Sequence, residues 1–144
     1  MENLPNIPTV AHVIQLALTP VFLLSGVGSI LSVLTGRLAR VIDRYRALTD
    51  AGDTPLRQAD AEELANLTRR VGLIHAAISL CTICALLVCI AIVALFLGAE
   101  LQLSFSRPIS LLFITAILAL TCGLLCFLRE IALAARAVSG FRES

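Results

Sequence analysis

Charge is what this chain has least of: 15% of its 144 residues are charged, and mean hydropathy is +0.95. Soluble domains carry about 25% charged residues. With 58% hydrophobic residues, a chain of this length cannot hide its apolar surface in one water-soluble core. A soluble globular domain is therefore excluded, and membrane residence follows. Lysine is absent, so all 11 basic residues are arginine; GC-rich codon usage and a functional demand for guanidinium both account for that. The net charge of +1 gives no footing for a nucleic-acid partner, and none is expected. No acid or base lies in the middle of any long apolar stretch, which counts against a proton-coupled pump. A nucleotide loop, a nucleophile–base pair at helical spacing and a zinc-protease signature are all missing. The reading accordingly assigns no catalytic residue, no metal and no cofactor, and the chain is not expected to be an enzyme. The N-terminal MENLPNIP has no basic segment or cleavage site, so the first apolar stretch is expected to stay in the mature protein. All five cysteines lie inside apolar stretches, where they make no disulfide framework.

Three apolar stretches are present, at about 10–35, 73–97 and 109–128. Each is long enough to cross a bilayer as a helix. The first is two-faced. At about 3.6 residues per turn, His12, Gln15, Thr19, Ser25, Gly26, Ser29 and Ser32 share one sector, and Val13, Leu16, Ala17, Leu23, Leu24, Val27, Leu31 and Leu34 share the other. A helix wholly surrounded by lipid has no reason to collect its polar residues on one side, so that side is expected to face protein or water. Ser25, Ser29, Ser32 and Gly36 make a small-residue seam of the kind that lets helices approach closely in lipid. Pro20 lies inside this span; it removes one backbone bond and is expected to kink the rod, with Thr19 placed to serve the freed carbonyls.

Beyond Gly36 the charge rises without loss of helical rhythm. Leu38, Val41, Ile42, Tyr45 and Leu48 keep an apolar face while Arg37, Arg40 and Arg44 form another. The first helix should project to about Asp50, turn through AGDTPL and return as a helix that carries Asp60, Glu62 and Glu63 early and Arg69 and Arg70 late. The expected fold is therefore all-α: a three-span helical integral membrane protein in a single domain (1–144). A cytoplasmic antiparallel helical hairpin (36–72) extends spans 1 and 2, and a C-terminal cytoplasmic helix covers 129–140. Ten of the 11 arginines lie in the hairpin or after position 128, and Arg107 alone lies on the other side. The positive-inside rule then puts hairpin and C-terminus in the cytoplasm and the N-terminus outside.

The run VAHVIQLALTPVFLLSGVGSILSVLTGRLARVIDRYR, above all its AHVIQLALTPVFLL and RLARVIDR segments, resembles a family of small bacterial membrane proteins catalogued as domain of unknown function 2721. The resemblance extends over almost the whole chain. It implies a three-span bacterial inner-membrane protein and carries no activity, so no catalytic or ligand residue comes with it.

The stripe His12, Gln15, Thr19, Ser25, Gly26, Ser29, Ser32 and Gly36 supports two readings. In one, several copies of the chain arrange it around an axis as a small ion channel. Arginine rings from Arg37, Arg40 and Arg44 then form an inner mouth that favours anions. In the other, the stripe is a helix–helix contact, and the arginines pair with Asp60, Glu62 or Glu63 across the hairpin. Either way three spans enclose little on their own, so a homo-oligomer is expected. A non-transporting envelope scaffold or regulatory subunit, with a cytoplasmic protein partner on the hairpin, is the alternative function. The same basic residues, with Arg69, Arg70 and Arg129 at the inner leaflet, would also suit anionic lipid headgroups, and topology alone equally accounts for them. His75, at the inner end of span 2, is either a pH-responsive group or an interfacial residue. One histidine per face (His12 and His75) is not metal-ligand spacing. Cys81-Thr82-Ile83-Cys84 is formally C-x-x-C, yet mid-helix in lipid it reads as small apolar filling, with Cys81 and Cys122 at similar depth.

Overall fold

The computed structural model describes the backbone of residues 7–50, 58–101 and 106–140, and the side chains of 11–50, 61–101 and 107–136. The expected turn over AGDTPL and part of the loop between spans 2 and 3 lie outside these residues. Three helices make up the described chain: α1 (Ile7–Asp50), α2 (Gln58–Glu100) and α3 (Ser106–Gly140). Each is long and apolar enough to span a membrane. At one end each helix runs several turns past its apolar stretch, because the flanking polar residues keep helical rhythm. Pro8 and Pro108 are accepted within first turns, where backbone N–H groups have no helical partner to lose. α1 continues as one helix through Pro20 for 44 residues. At 1.5 Å per residue that is about 66 Å, roughly twice the hydrocarbon thickness of a bilayer.

The spacing of the buried residues explains the packing. On α2 the interior positions are Leu67, Ile74, Ala77, Cys81, Cys84, Val88 and Ala91, and on α1 they include Val27, Leu34 and Val41. These intervals of three, four and seven give a repeat near 3.5 residues, the period at which a stripe stays on its neighbour as helices wind around one another. On α3 the same period selects Ala116, Gly123 and Glu130, all of them buried. α2 is the central rod, in contact with both α1 and α3.

The α2–α3 contact is tight because its residues are small. A Cβ at Gly123 would meet the Cys81 sulfur at 3.2 Å, Leu80 Cβ at 3.3 Å and the Ala77 carbonyl at 3.4 Å. Gly123 lets the two backbones approach where any side chain would hold them apart. The outer faces of all three helices remain broadly apolar, with Phe22, Leu86, Val93, Leu111, Leu118 and Leu128 exposed. Such a surface is what a bilayer solvates.

Candidate functional site

The polar stripe of span 1 is not used to pack the chain against itself. His12, Gln15, Thr19, Ser25, Gly26, Ser29, Ser32 and Gly36 are all exposed, and a Cβ at Gly26 or Gly36 would meet nothing within 4 Å. The opposite sector does the packing, with Ala17, Val27 and Leu34 buried. Within one chain the apolar sector is covered in part, with Leu16 still exposed, and the stripe is open along its length.

Some hydroxyls along α1 are satisfied on their own helix, though those of Ser25 and Ser32 donate no hydrogen bond among the described residues. Ser29 donates to the Ser25 carbonyl at 3.2 Å and Thr35 to the Leu31 carbonyl at 2.9 Å. Bonded this way, each hydroxyl spends its proton on its own helix and offers only lone pairs outward. Thr19 makes no such bond among the described residues. It lines an apolar cavity of about 310 Å³ with Leu16, Ala17, Pro20, Ala91, Ile92 and others, where the first part of α1 meets the end of α2 and the start of α3.

At the other end of the spans the structure assembles a charged centre. Glu130 is fully buried, with an exposure of 0%. Arg37 of α1 donates from its Nη1 to one Glu130 oxygen at 3.0 Å, and Arg70 of α2 donates through Nη2 at 2.9 Å and Nε at 3.2 Å to the other. The Arg37 guanidinium also lies 5.4 Å from the centre of the Phe127 ring, within range of a cation–π attraction. One carboxylate therefore ties all three helices together. Both carboxylate oxygens are paired, the cluster of one acid and two bases keeps a net positive charge, and no buried side-chain polar atom among the described residues lacks a hydrogen bond. A pocket of about 230 Å³ lined by Arg37, Arg40, Val41, Arg70 and Glu130 opens beside it.

The three arginines read as an inner mouth are consequently not equivalent. Arg37 is committed to Glu130, Arg44 pairs with Glu63 at 3.0 Å, and Arg40 donates to the Gly36 carbonyl at 3.2 Å. Glu63 is a partner expected from the sequence. Glu62 is exposed and forms no ion pair among the described residues, and the side chain of Asp60 lies outside them. The partner that sequence reasoning missed is Glu130. A signal existed in the seven-residue spacing Ala116–Gly123–Glu130, which puts the glutamate in line with the two smallest interior residues of α3.

His75 is exposed on α2 and makes no hydrogen bond among the described residues. Cys81 and Cys84 are buried, Cys89 and Cys122 are exposed, and all five cysteines are free thiols. Cys81 faces Gly123, whereas Cys122 is turned outward, so similar depth does not bring those two thiols into one buried cluster. No grouping of three or more His, Cys, Asp or Glu side chains suited to a metal ion occurs among the described residues. Over residues 17–139 the chain matches the family model described as Protein of unknown function (DUF2721). No curated protein and no solved structure matches it.

Proposed function

The chain belongs to the DUF2721 family of bacterial membrane proteins, and from its own geometry we propose that it works as a homo-oligomer whose α1 stripes meet around a shared axis to form a small ion-conducting path. The observation that carries this is the open stripe. α2 covers Ala17, Val27 and Leu34 on the apolar side of α1, and the stripe residues His12, Gln15, Thr19, Ser25, Gly26, Ser29, Ser32 and Gly36 are left exposed beside lipid-facing Leu16, Phe22 and Val33. In a bilayer an uncovered row of polar and small residues is stabilised by other copies of itself or by water. Around an axis, His12 and Gln15 stand at the outer mouth, Ser25, Ser29 and Ser32 along the path, and Arg40 at the inner mouth. With Arg37 and Arg44 partnered by carboxylates, preference for anions at that mouth rests on Arg40. The reading includes the orientation drawn from the arginine count, with the extensions of α1 and α2 as an antiparallel cytoplasmic hairpin. The Arg44–Glu63 pair supports the hairpin. It assigns the chain no catalytic role.

Purified protein in liposomes should pass ions, and Ser29→Trp should cut the flux about tenfold or more while leaving the oligomer intact. Absence of flux for every anion and cation tried, with the oligomer intact, ends the channel reading. A second reading, a regulatory or scaffold subunit, is favoured by the Glu130 tie, which makes spans and extensions one body. Reversing charge at Arg40 and Arg44 should then abolish co-purification of a cytoplasmic partner under mild extraction, and recovery of no partner counts against it.

A further inference from the structure

Arginine occurs twice in adjacent charged pairs at the inner end of the spans, as Arg69-Arg70 on α2 and Arg129-Glu130 on α3. Neighbouring residues on a helix point about 100° apart, and here each pair is divided between two environments. Arg70 and Glu130 turn inward and pair with each other. Arg69 and Arg129 turn outward, are exposed and have no carboxylate partner among the described residues. They border a groove of about 270 Å³ between α2 and α3, lined by Arg69, Leu73, Arg129, Ala132, Leu133 and Arg136.

The lining has three guanidiniums, an apolar floor and no acid. Glu130, next in the chain to Arg129, is buried on another face of α3 and occupied by Arg37 and Arg70, so it does not neutralise Arg69 or Arg129. Arg129, Ala132, Leu133 and Arg136 recur at intervals of three and four on one face of α3, and Leu73 stands one turn from Arg69. The charge begins where the apolar stretches end, after Leu128 and before Leu73. We propose that this groove binds the phosphodiester of an anionic phospholipid. The guanidinium forks take the phosphate oxygens, and Leu73, Ala132 and Leu133 take the glycerol and first methylenes. A free phosphate would use the same forks and leave the apolar floor without a role; a lipid uses both halves. The proposal is independent of the channel reading, since the groove lies on α2 and α3 and not on the stripe of α1.

The test uses full-length protein in nanodiscs of phosphatidylcholine with and without phosphatidylglycerol, scoring lipid retained after detergent release by native mass spectrometry. Phosphatidylglycerol should be retained in preference to phosphatidylcholine. Arg69→Gln with Arg129→Gln should lower that retention about 10- to 30-fold, taking a phosphate-facing arginine at about 1 kcal/mol. Ala132→Trp, which keeps every charge and fills the floor, should lower it as well and covers the case in which the double variant does not fold. Arg46→Gln, on the exposed part of α1, should leave it unchanged. Equal retention of the two lipids overturns the proposal, as does an equal loss with Arg46→Gln, which would mean a general basic surface. Retention insensitive to Ala132→Trp and abolished by millimolar inorganic phosphate would make it a phosphate site and overturn the lipid assignment.

Discussion

Glu130 shows how much can depend on one side chain. A buried carboxylate is costly unless opposite charge and hydrogen bonds compensate it, and its two oxygens here receive three hydrogen bonds from two arginines. Substituting one member strands the rest. Glu130→Ala leaves two guanidiniums facing each other at a helix junction and should destabilise the fold by about 3–5 kcal/mol, read as a lower midpoint in thermal or denaturant unfolding in detergent. Replacing the whole set, Glu130→Leu with Arg37→Met and Arg70→Met, should recover most of that loss, because apolar residues of similar volume remove the desolvation cost together with the attraction. If the triple variant is as unstable as Glu130→Ala, packing and not charge sets the stability of this layer. The glutamate was hard to read from the sequence for a specific reason. Helical periodicity reveals which residues share a face, and Arg129 and Glu130 sit just past an apolar run where charge is ordinary. The line from Ala116 through Gly123 leads to Glu130 rather than Arg129, yet that line marks the inner face only once the neighbouring helices are placed.

At the scale of the helix, the three long apolar runs and their polar extensions were legible, since hydropathy and rhythm are local properties. The two-sidedness of α1 was legible as well, though not its consequence. Its apolar sector resembles a lipid-facing surface, yet Val27, Leu34 and Val41 are core residues, because a 3.5-residue repeat running through them matches the repeat on α2. The stripe opposite is what one chain leaves open. Single cysteines introduced at Ser25, Ser29 or Ser32 in a variant lacking the five native thiols should form disulfide-linked dimers on oxidation in membranes. A cysteine at Val27, buried against the chain's own helices, should not. Cross-linking at Val27 and at none of the serines would remove the stripe from any contact between copies.

For the molecule as a whole, the strongest asymmetry is electrostatic. Among the described residues eight arginines belong to one end of the bundle and Arg107 to the other, and the charged layers around Glu130 and around Arg69 and Arg129 lie at the crowded end. A membrane-impermeant thiol reagent added to intact cells should label a cysteine at Arg107 and spare one at Arg46 until the membrane is permeabilised. Labelling in the reverse order would invert the orientation and move the proposed lipid site to the other leaflet.

Away from the close approach at Gly123, the interior of the three rods is otherwise a ladder of similar rungs: Val, Leu, Ile, Ala and Cys, repeated every three or four residues. Rods joined by such rungs alone can slide by one heptad and still find oily partners. Glu130 forbids that slippage. Shifted one repeat toward the apolar spans, its carboxylate would leave Arg37 and Arg70 behind and stand unpaired at the level of Ile30 and Ala77; shifted the other way, it would meet Glu63. The lone acid thus acts as an index pin, admitting a single vertical alignment of the helices where the oily rungs would tolerate several.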